Sequence, residues 1–298
     1  MRSTFSDSFY KPSINLRRMI IAVPNKGRLS EPALELLREA GIRAEGTERR
    51  LIVPTNNPNI NVLFARARDI PHYVANGSAD VGITGYDMVV ESGVEVEVLL
   101  KLGFGKAKLV VAVPVDSDVN SIEDLDGKRV ATEFKNIADR FFKEKSLSVK
   151  IVEVSGACEN APYIGIADAI LDLTSTGMTL RANNLRVVET VLETEAVLIA
   201  NKDVVNEFEV RALVTSIQGV LNAKGMMYLM MNVPADVLGE VKKIVPGLKG
   251  PTVMKVENGN MLAVHVVVQE DRLFEVLERL KKVGARDILI IPIQRLIY

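Results

Sequence analysis

Short apolar runs alternate with amphipathic segments along the chain, and this alternation predicts an α/β protein. MIIAVP (19–24) is an apolar run of strand length. The polar loop NKGRLS follows, and then EPALELLREA, where Leu34, Leu37 and Ala40 recur at helical spacing. Ser30 is placed to N-cap this helix, Pro32 falls in its first turn, and Gly41 lies just past its end. Such a strand, loop and helix form an α/β unit.

Two stretches read as distant copies of one another. They are GSADVGITGYDMVVESG (77–93) and GIADAILDLTSTGMTLRANN (165–184). Each runs Gly-x-Ala-Asp, a short apolar strand, a Thr and Gly turn, and a helix-compatible run, although the spacing differs between Asp80–Gly85 and Asp168–Gly177. Ligands gather at the carboxyl ends of strands in α/β sheets, so two such turns are expected to face each other across a cleft between two lobes. KLVVAVP (108–114) reads as a strand leading into the second lobe, and EAVLIAN (195–201) echoes it on the way back. Between them, PVDSDVNSIEDLDGKR is linker-like and VATEF (130–134) is a further strand and turn.

The last segment predicts a separate unit. MMYLMMNVP (226–234) is a strand and ADVLGEVKKIV (235–245) a helix. PTVMKVE (251–257) and NMLAVHVVVQ (260–269) are strands joined across Asn258-Gly259, a hairpin signal. DRLFEVLERLKKVG (271–284) is a helix with Leu273, Val276, Leu277, Leu280 and Val283 on one face, and DILIIPIQRL (287–296) is the final strand. Pro292 cannot donate to a ladder and marks an edge or a bulge. The order βαββαβ is the ferredoxin-like pattern.

Composition bounds the function. The chain has 298 residues, which suggests two or three domains. Its 37 basic and 38 acidic residues nearly cancel, which excludes holding nucleic acid or a membrane surface by bulk charge. Anionic small molecules remain open, because they need only a local cluster of cations and N–H groups. The one cysteine, Cys158, cannot form an internal disulfide, and the two histidines, His72 and His265, make no zinc pattern. No apolar run reaches the roughly 18 residues of a membrane span. The polar, Ser-bearing segment 1–18 has no apolar core of a secretory signal and is expected to be a disordered leader.

Candidate chemistry concentrates in ADAILDLTSTGMTL (167–180). As a strand, AILDL puts Ile170 and Asp172 on one face and Ala169, Leu171 and Leu173 on the other. Asp172 then sits at the carboxyl end, before the hydroxyl-rich loop of Thr174, Ser175, Thr176, Gly177, Met178 and Thr179. Backbone N–H groups and hydroxyls there could cradle a phosphate while Asp172 accepts bonds from sugar hydroxyls. The same residues also suit an ordinary strand, turn and cap. Asn25, Lys26, Gly27 and Arg28 could hold a pyrophosphate or triphosphate, or form a solvated turn. Arg49, Arg50, Arg66 and Arg68 carry the same ambiguity. There is no P-loop, no dinucleotide fingerprint and no Ser/His/Asp order, and Cys158 beside Glu159 reads as a buried bystander.

The chain resembles the ATP phosphoribosyltransferase family, the first enzyme of histidine biosynthesis, in its long form. The resemblance rests on VPNKGRLSEPALELLREAGI (23–42), RARDIPHYVANGSADVGITGYD (66–87), ATEFKNIADRFF (131–142) and SGACENAPYIGIADAILDLTSTGMTLRANNL (155–185), with PGLKGPTV (246–253) and GARDIL (284–289) resembling the regulatory domain. It runs from about Met19 to Tyr298, and Cys158 and Asn160 depart from the small or apolar residues usual around the glutamate.

The resemblance implies a bilobal, periplasmic-binding-protein-like (type II) core with a ferredoxin-like, ACT-like regulatory domain. Lobe one would be 19–110 with 200–222, lobe two 111–199, and the regulatory domain 225–298. It implies that N1 of ATP attacks C1 of phosphoribosyl pyrophosphate, releasing pyrophosphate with Mg²⁺ held mainly by substrate phosphates. Asp172, Lys26 and Arg28 would be catalytic. Asp168, Asp172 and the loop from Thr174 to Thr179 would bind the phosphoribosyl group. Arg28, Arg50, Arg66, Asp87 and Glu159 would bind ATP, and Asn232, Thr252 and Ala285 would bind histidine as inhibitor. A cytoplasmic homohexamer built from dimers is implied, with no nucleic acid or membrane partner. The competing reading is a non-enzymatic bilobal sensor with an amino-acid-binding tail, which would not need Lys26, Arg28 and the TSTG loop together. Other phosphoribosyltransferases usually place two adjacent acids before the phosphate loop, whereas Asp168 and Asp172 are four apart.

Overall fold

The first apolar runs assemble a mostly parallel sheet. Its elements are β1 (Met19–Pro24), α1 (Ser30–Glu39), β2 (Ile52–Pro54), β3 (Ile60–Ala65), α2 (Ile70–Ala75), β4 (Val81–Gly85), α3 (Tyr86–Ser92) and β5 (Glu97–Lys101). A second series follows: β6 (Ala107–Pro114), β7 (Arg129–Thr132), α4 (Lys135–Glu144), β8 (Lys150–Glu153), β9 (Ala169–Thr174), α5 (Met178–Ala182), β10 (Leu185–Thr194), β11 (Ala196–Ala200) and α6 (Phe208–Ala223). This is a computed structural model, and it describes residues 18–46, 50–257 and 259–298. The leader expected at 1–18 therefore lies, but for Arg18, outside the described residues.

The two lobes share one topology. The first sheet has the order β2-β3-β1-β4-β11-β5 and the second β10-β6-β9-β7-β8. β1 runs parallel to β3 and β4, and β7 runs parallel to β8 and β9. Each sheet then receives one reversed strand from the other lobe: β11 lies antiparallel between β4 and β5, and β6 between β9 and β10. Set aside the short β2, and the two sheets match strand for strand. This is the bilobal type II arrangement. The chain crosses at 102–106 and at Glu195, so β6 belongs wholly to the second lobe and β11 wholly to the first. The expected boundaries, at 110/111 and 199/200, are displaced because each crossing strand pairs along its whole length with its destination sheet.

The repeat read from the sequence is this duplication. Asp80 Oδ2 accepts from Ile20 N at 2.7 Å, and Asp168 Oδ2 from Arg129 N at 2.8 Å. Asp80 N donates back to Ile20 O, and Asp168 N to Arg129 O. In both lobes the Gly-x-Ala-Asp aspartate thus pins the start of the neighbouring first strand.

The cores follow the apolar patterns. Ile21, Val23, Leu37 and Leu198 pack under α1 and α6, while Leu109, Leu171, Phe134 and Phe142 pack under α4. Val110, Ile170, Leu180 and Cys158 fill the opposite face of the second sheet. Cys158 is buried, and burial pushes its thiol up to about 12, as expected of a bystander. Ser30 does not cap α1 through its side chain: it is the first helical residue, and its N–H bonds Gly27 O instead.

The third sheet holds β12 (Met226–Pro234), β13 (Thr252–Lys255), β14 (Met261–Gln269) and β15 (Arg286–Pro292), with α7 (Leu238–Ile244) and α8 (Leu273–Lys282) on one face. Its order β13-β14-β12-β15, all antiparallel, is the ferredoxin-like one. The expected hairpin joins β13 to β14 across 256–260, of which Asn258 lies outside the described residues. β15 is an edge strand and stops at Pro292, short of the expected 296. The tail then leaves the sheet: Leu296 N bonds Gly219 O on α6 at 2.8 Å, and Arg295 Nε bonds Glu39 O on α1 at 3.0 Å. Among the described residues no helix is long and apolar enough to cross a membrane.

Candidate active site

The carboxyl ends of the parallel strands in both lobes converge on one cleft. Lobe one contributes the loop after β1, which carries Asn25, Lys26, Gly27 and Arg28. Gly27 takes the left-handed conformation (φ 82°) that lets this loop turn into α1. Lys26 and Arg28 are both exposed. Arg28 Nη1 donates to Gly105 O at 2.9 Å, so the guanidinium is moored to the first crossing segment. Arg66 follows β3 directly, and Arg50 precedes Leu51, whose carbonyl accepts from Phe64 N. Both are therefore at the same edge of the sheet, and both are exposed.

Lobe two contributes Asp172 and the loop after β9. Asp172 shares a strand face with Ile170, as the alternation predicts, and it is partly buried. Its Oδ1 accepts from Leu173 N at 2.7 Å, while Oδ2 makes no hydrogen bond among the described residues. Burial pushes its carboxyl up to about 6, against the lowering effect of the Leu173 bond, and the charges of Glu133 and Glu159 add to the rise. Glu133, at the end of β7, was missed by sequence reasoning. The signal was available, because Glu133 follows a strand parallel to β9 and so reaches the same edge.

The hydroxyls of the loop mostly shape it. Thr174 Oγ1 accepts from Gly177 N at 3.0 Å, Thr176 Oγ1 from Met178 N at 3.4 Å, and Arg181 Nη2 bonds Thr176 O. Gly177 has φ 72°, which opens α5. The N–H groups of Ser175 and Thr176 make no hydrogen bond among the described residues and are available to an anion, with the Ser175 hydroxyl beside them. Met178 and Thr179 are exposed in the first turn of α5.

Two expected site residues stand elsewhere. Asp168 lies at the opposite end of β9, one strand of six residues from the loop, about 20 Å at the usual rise. It is held by Arg129 through the backbone N–H, Nε and Nη2, and that guanidinium beside it keeps its carboxyl below the usual range. It cannot support a phosphate there. Asp87 is 1% exposed, and Thr194 both donates to its Oδ1 at 2.7 Å and accepts from its N–H at 2.9 Å. It locks the hinge and presents no carboxylate to the cleft. Glu159 is half-buried in a single helical turn entered through Ala157 at φ 49°, within electrostatic reach of Asp172.

The lobes touch across the cleft. Arg68 Nη2 reaches Glu133 O at 3.2 Å and its carboxylate at 3.9 Å. Glu91 of α3 accepts from Asn136 N and Ile137 N, both at 3.0 Å, and so caps α4 of the other lobe. In the third domain, Asn232 bonds Asp287 and pairs in register with Arg286, the residue after buried Ala285. Thr252 lies two strands away on β13, so one chain brings Asn232 and Ala285 together but not Thr252.

A bilobal cleft with a hydroxyl-rich loop, an aspartate beside it and a cation-bearing loop in the other lobe has the chemistry to receive phosphorylated ligands. Comparison with known proteins narrows that class. Residues 66–219 match the family described as HisG: ATP phosphoribosyltransferase, and residues 223–295 match the HisG C-terminal domain. Proteins named ATP phosphoribosyltransferase are 50% identical in Methanosarcina barkeri over 93% of this chain and 98% of that one, and 52% identical in Methanopyrus kandleri over 93% and 99%. A solved ATP phosphoribosyl transferase (HisG:HisZ) complex from Thermotoga maritima is similar at 27% identity and a TM-score of 0.62, covering 69% of this chain and 98% of that one. The chain belongs to the ATP phosphoribosyltransferase family, and it is an enzyme of that kind carrying the family's C-terminal domain.

Proposed function

We propose that the protein transfers the 5-phosphoribosyl group of phosphoribosyl pyrophosphate to N1 of ATP, releasing pyrophosphate, as the first step of histidine biosynthesis. The observation that carries this reading is Asp172 beside the open N–H groups of Ser175 and Thr176, across the cleft from Lys26 and Arg28. The ribose 5-phosphate takes those N–H groups and the Ser175 hydroxyl. The unengaged Oδ2 of Asp172 accepts from the ribose hydroxyls, and a charged acceptor there favours the positive character developing at C1. Lys26 and Arg28 hold phosphates from lobe one, with Arg50 and Arg66 at the same edge. No strong base is needed, because N1 of adenine attacks with its own lone pair and positioning supplies much of the rate.

Magnesium fits this site only as a passenger. Among the described residues no three carboxylate, histidine or cysteine side chains are grouped to hold a metal ion. Any Mg²⁺ would arrive on the substrate phosphates, with water completing its shell. Histidine as an inhibitor at the C-terminal domain, a cytoplasmic location and a homohexamer complete the proposal. Because one chain leaves Thr252 apart from Asn232 and Ala285, a histidine site using all three would need a further arrangement of subunits.

The test is pyrophosphate release from ATP and phosphoribosyl pyrophosphate, together and singly. Release only with both, with the adduct forming at N1, supports the reading. Binding of either substrate with no turnover would favour the sensor.

A further inference from the structure

One contact between the lobes lies beside Asp172, and the proposed mechanism does not use it. Thr132, the last residue of β7, pairs in parallel register with Leu171 of β9. Glu133 and Asp172 come next in the shared direction of the two strands, side by side at the cleft end of the sheet. Glu133 is also where lobe one reaches lobe two. Arg68, which follows β3, donates from Nη2 to Glu133 O at 3.2 Å and lies 3.9 Å from the Glu133 carboxylate. We propose that Arg68 is a positioning residue that acts on Asp172 through Glu133: reaching across the cleft, it fixes the Glu133 carboxylate and screens its charge, so that contact between the lobes prepares Asp172 to serve as a charged acceptor. The inference deepens the proposed function and rests on it only for what Asp172 does in turnover.

The segment that carries Glu133 is held on both sides. Thr132 Oγ1 accepts from Phe134 N at 2.9 Å, and the Phe134 side chain is fully buried. α4 starts at Lys135, and Glu91 of lobe one accepts from Asn136 N and Ile137 N, both at 3.0 Å. Lobe one thus grips residues 133–137 at one end through Arg68 and at the other through Glu91. With the backbone fixed, the rotamer of Glu133 decides how much of its charge reaches Asp172, and Arg68 holds that rotamer. Both side chains of the pair are partly exposed, so the pair itself adds little to stability. Its effect belongs at the neighbouring carboxylate.

The charges around Asp172 single out this pair. On its side of the sheet, β7 offers Glu133, the 158–160 turn offers Cys158 and Glu159, β6 offers Lys108, and α5 offers Arg181. Lys108 is paired with Glu193 at 2.9 Å, and Arg181 donates to Thr176 O at 3.2 Å. The Cys158 thiol, pushed up to about 12 by burial, stays neutral. In the other lobe, Arg28 is moored to Gly105 O, with Lys26 in the same loop. Among the described residues no cation forms an ion pair with Asp172, and the carboxylates of Glu133 and Glu159 both oppose its ionisation. Of those two, Glu133 is the one that meets a cation, and that cation belongs to the other lobe. The screening therefore exists only while the lobes touch.

The test uses Glu133→Gln, Arg68→Gln and the double variant, each in the full chain with and without Asp172→Asn. Urea unfolding across pH gives the stability difference between each protein and its Asp172→Asn version. The pH at which that difference levels off is where folded Asp172 has lost its proton. Glu133→Gln is expected to lower this pH and Arg68→Gln to raise it, each by about half a pH unit. The double variant should match Glu133→Gln alone, because Arg68 has nothing left to screen. The acid limb of kcat/KM should move in the same order. No shift in Glu133→Gln overturns the proposal. A rise from Arg68→Gln that is equal with and without Glu133 also overturns it, because Arg68 would then act on Asp172 directly. Unfolding needs no turnover, so an enzyme that fails to make the N1 adduct would overturn the proposed function and leave the coupling of Arg68, Glu133 and Asp172 standing.

Discussion

Asp172 meets opposite demands in the free protein and at work. The proposed mechanism uses it charged, yet burial pushes its carboxyl up to about 6. A carboxyl raised above its unfolded value holds its proton more tightly when folded. Its favourable contribution is therefore complete below about pH 4 and is lost as pH climbs to about 6. Asp172→Asn escapes that loss. The stability difference between variant and parent should be near zero at about pH 4 and grow to about 1–3 kcal/mol above pH 6, as read by urea unfolding across pH. The same variant should lose roughly 10- to 150-fold in turnover, since a charged acceptor is worth about 1.5–3 kcal/mol. A folded Asn variant with full activity would remove Asp172 from the mechanism. Lys26→Ala and Arg28→Ala should raise the KM for a phosphate-bearing substrate, with the rise shrinking in high salt. Unchanged constants in both would make this loop a solvated turn.

At the scale of elements, strand alternation was legible and long-range contacts were not. The faces of β9 followed from side-chain alternation, and so did the position of Asp172 at its end. Asp168 looked equally acidic and lies only four residues before Asp172, but a strand carries six residues about 20 Å, so it reaches the wrong edge. Asp87 failed for another reason. Its partner Thr194 is 107 residues away, and no local pattern announces such a bond. Glu91 is a third case. Its carboxylate caps α4 from the other lobe, while Phe134, at the cap position, offers no side-chain bond. Glu91→Ala should cost about 0.5–2 kcal/mol, the range for a lost cap, with Glu91→Gln between it and the parent. Denaturant unfolding of the three proteins reads this directly, and equal midpoints would make the cap ornamental.

For the whole molecule, the C-terminal tail decides how control could reach the cleft. The sequence placed the regulatory unit after every catalytic motif but read 287–296 as one strand. Pro292 ends the ladder, and the chain turns back onto lobe one. Arg295 Nε caps the carbonyl of Glu39 at the end of α1, and Leu296 is bonded to both Gly219 and Asn222. The helix that Arg295 caps begins just after the Lys26–Arg28 loop, so the tail links the third sheet to the loop proposed to hold phosphates through one rigid element. Removing residues 293–298 leaves β12 to β15 and their core in place while cutting that link. The shortened chain should still bind histidine but lose most of its inhibition, because inhibition requires that binding favour one of two coupled states, typically by about 1–3 kcal/mol. A chain ending near Asn222 should lose both binding and inhibition. The measurements are histidine binding by calorimetry and pyrophosphate release against histidine concentration, with sedimentation to report assembly. Full inhibition without residues 293–298 would show that control runs through subunit contacts instead of through the tail.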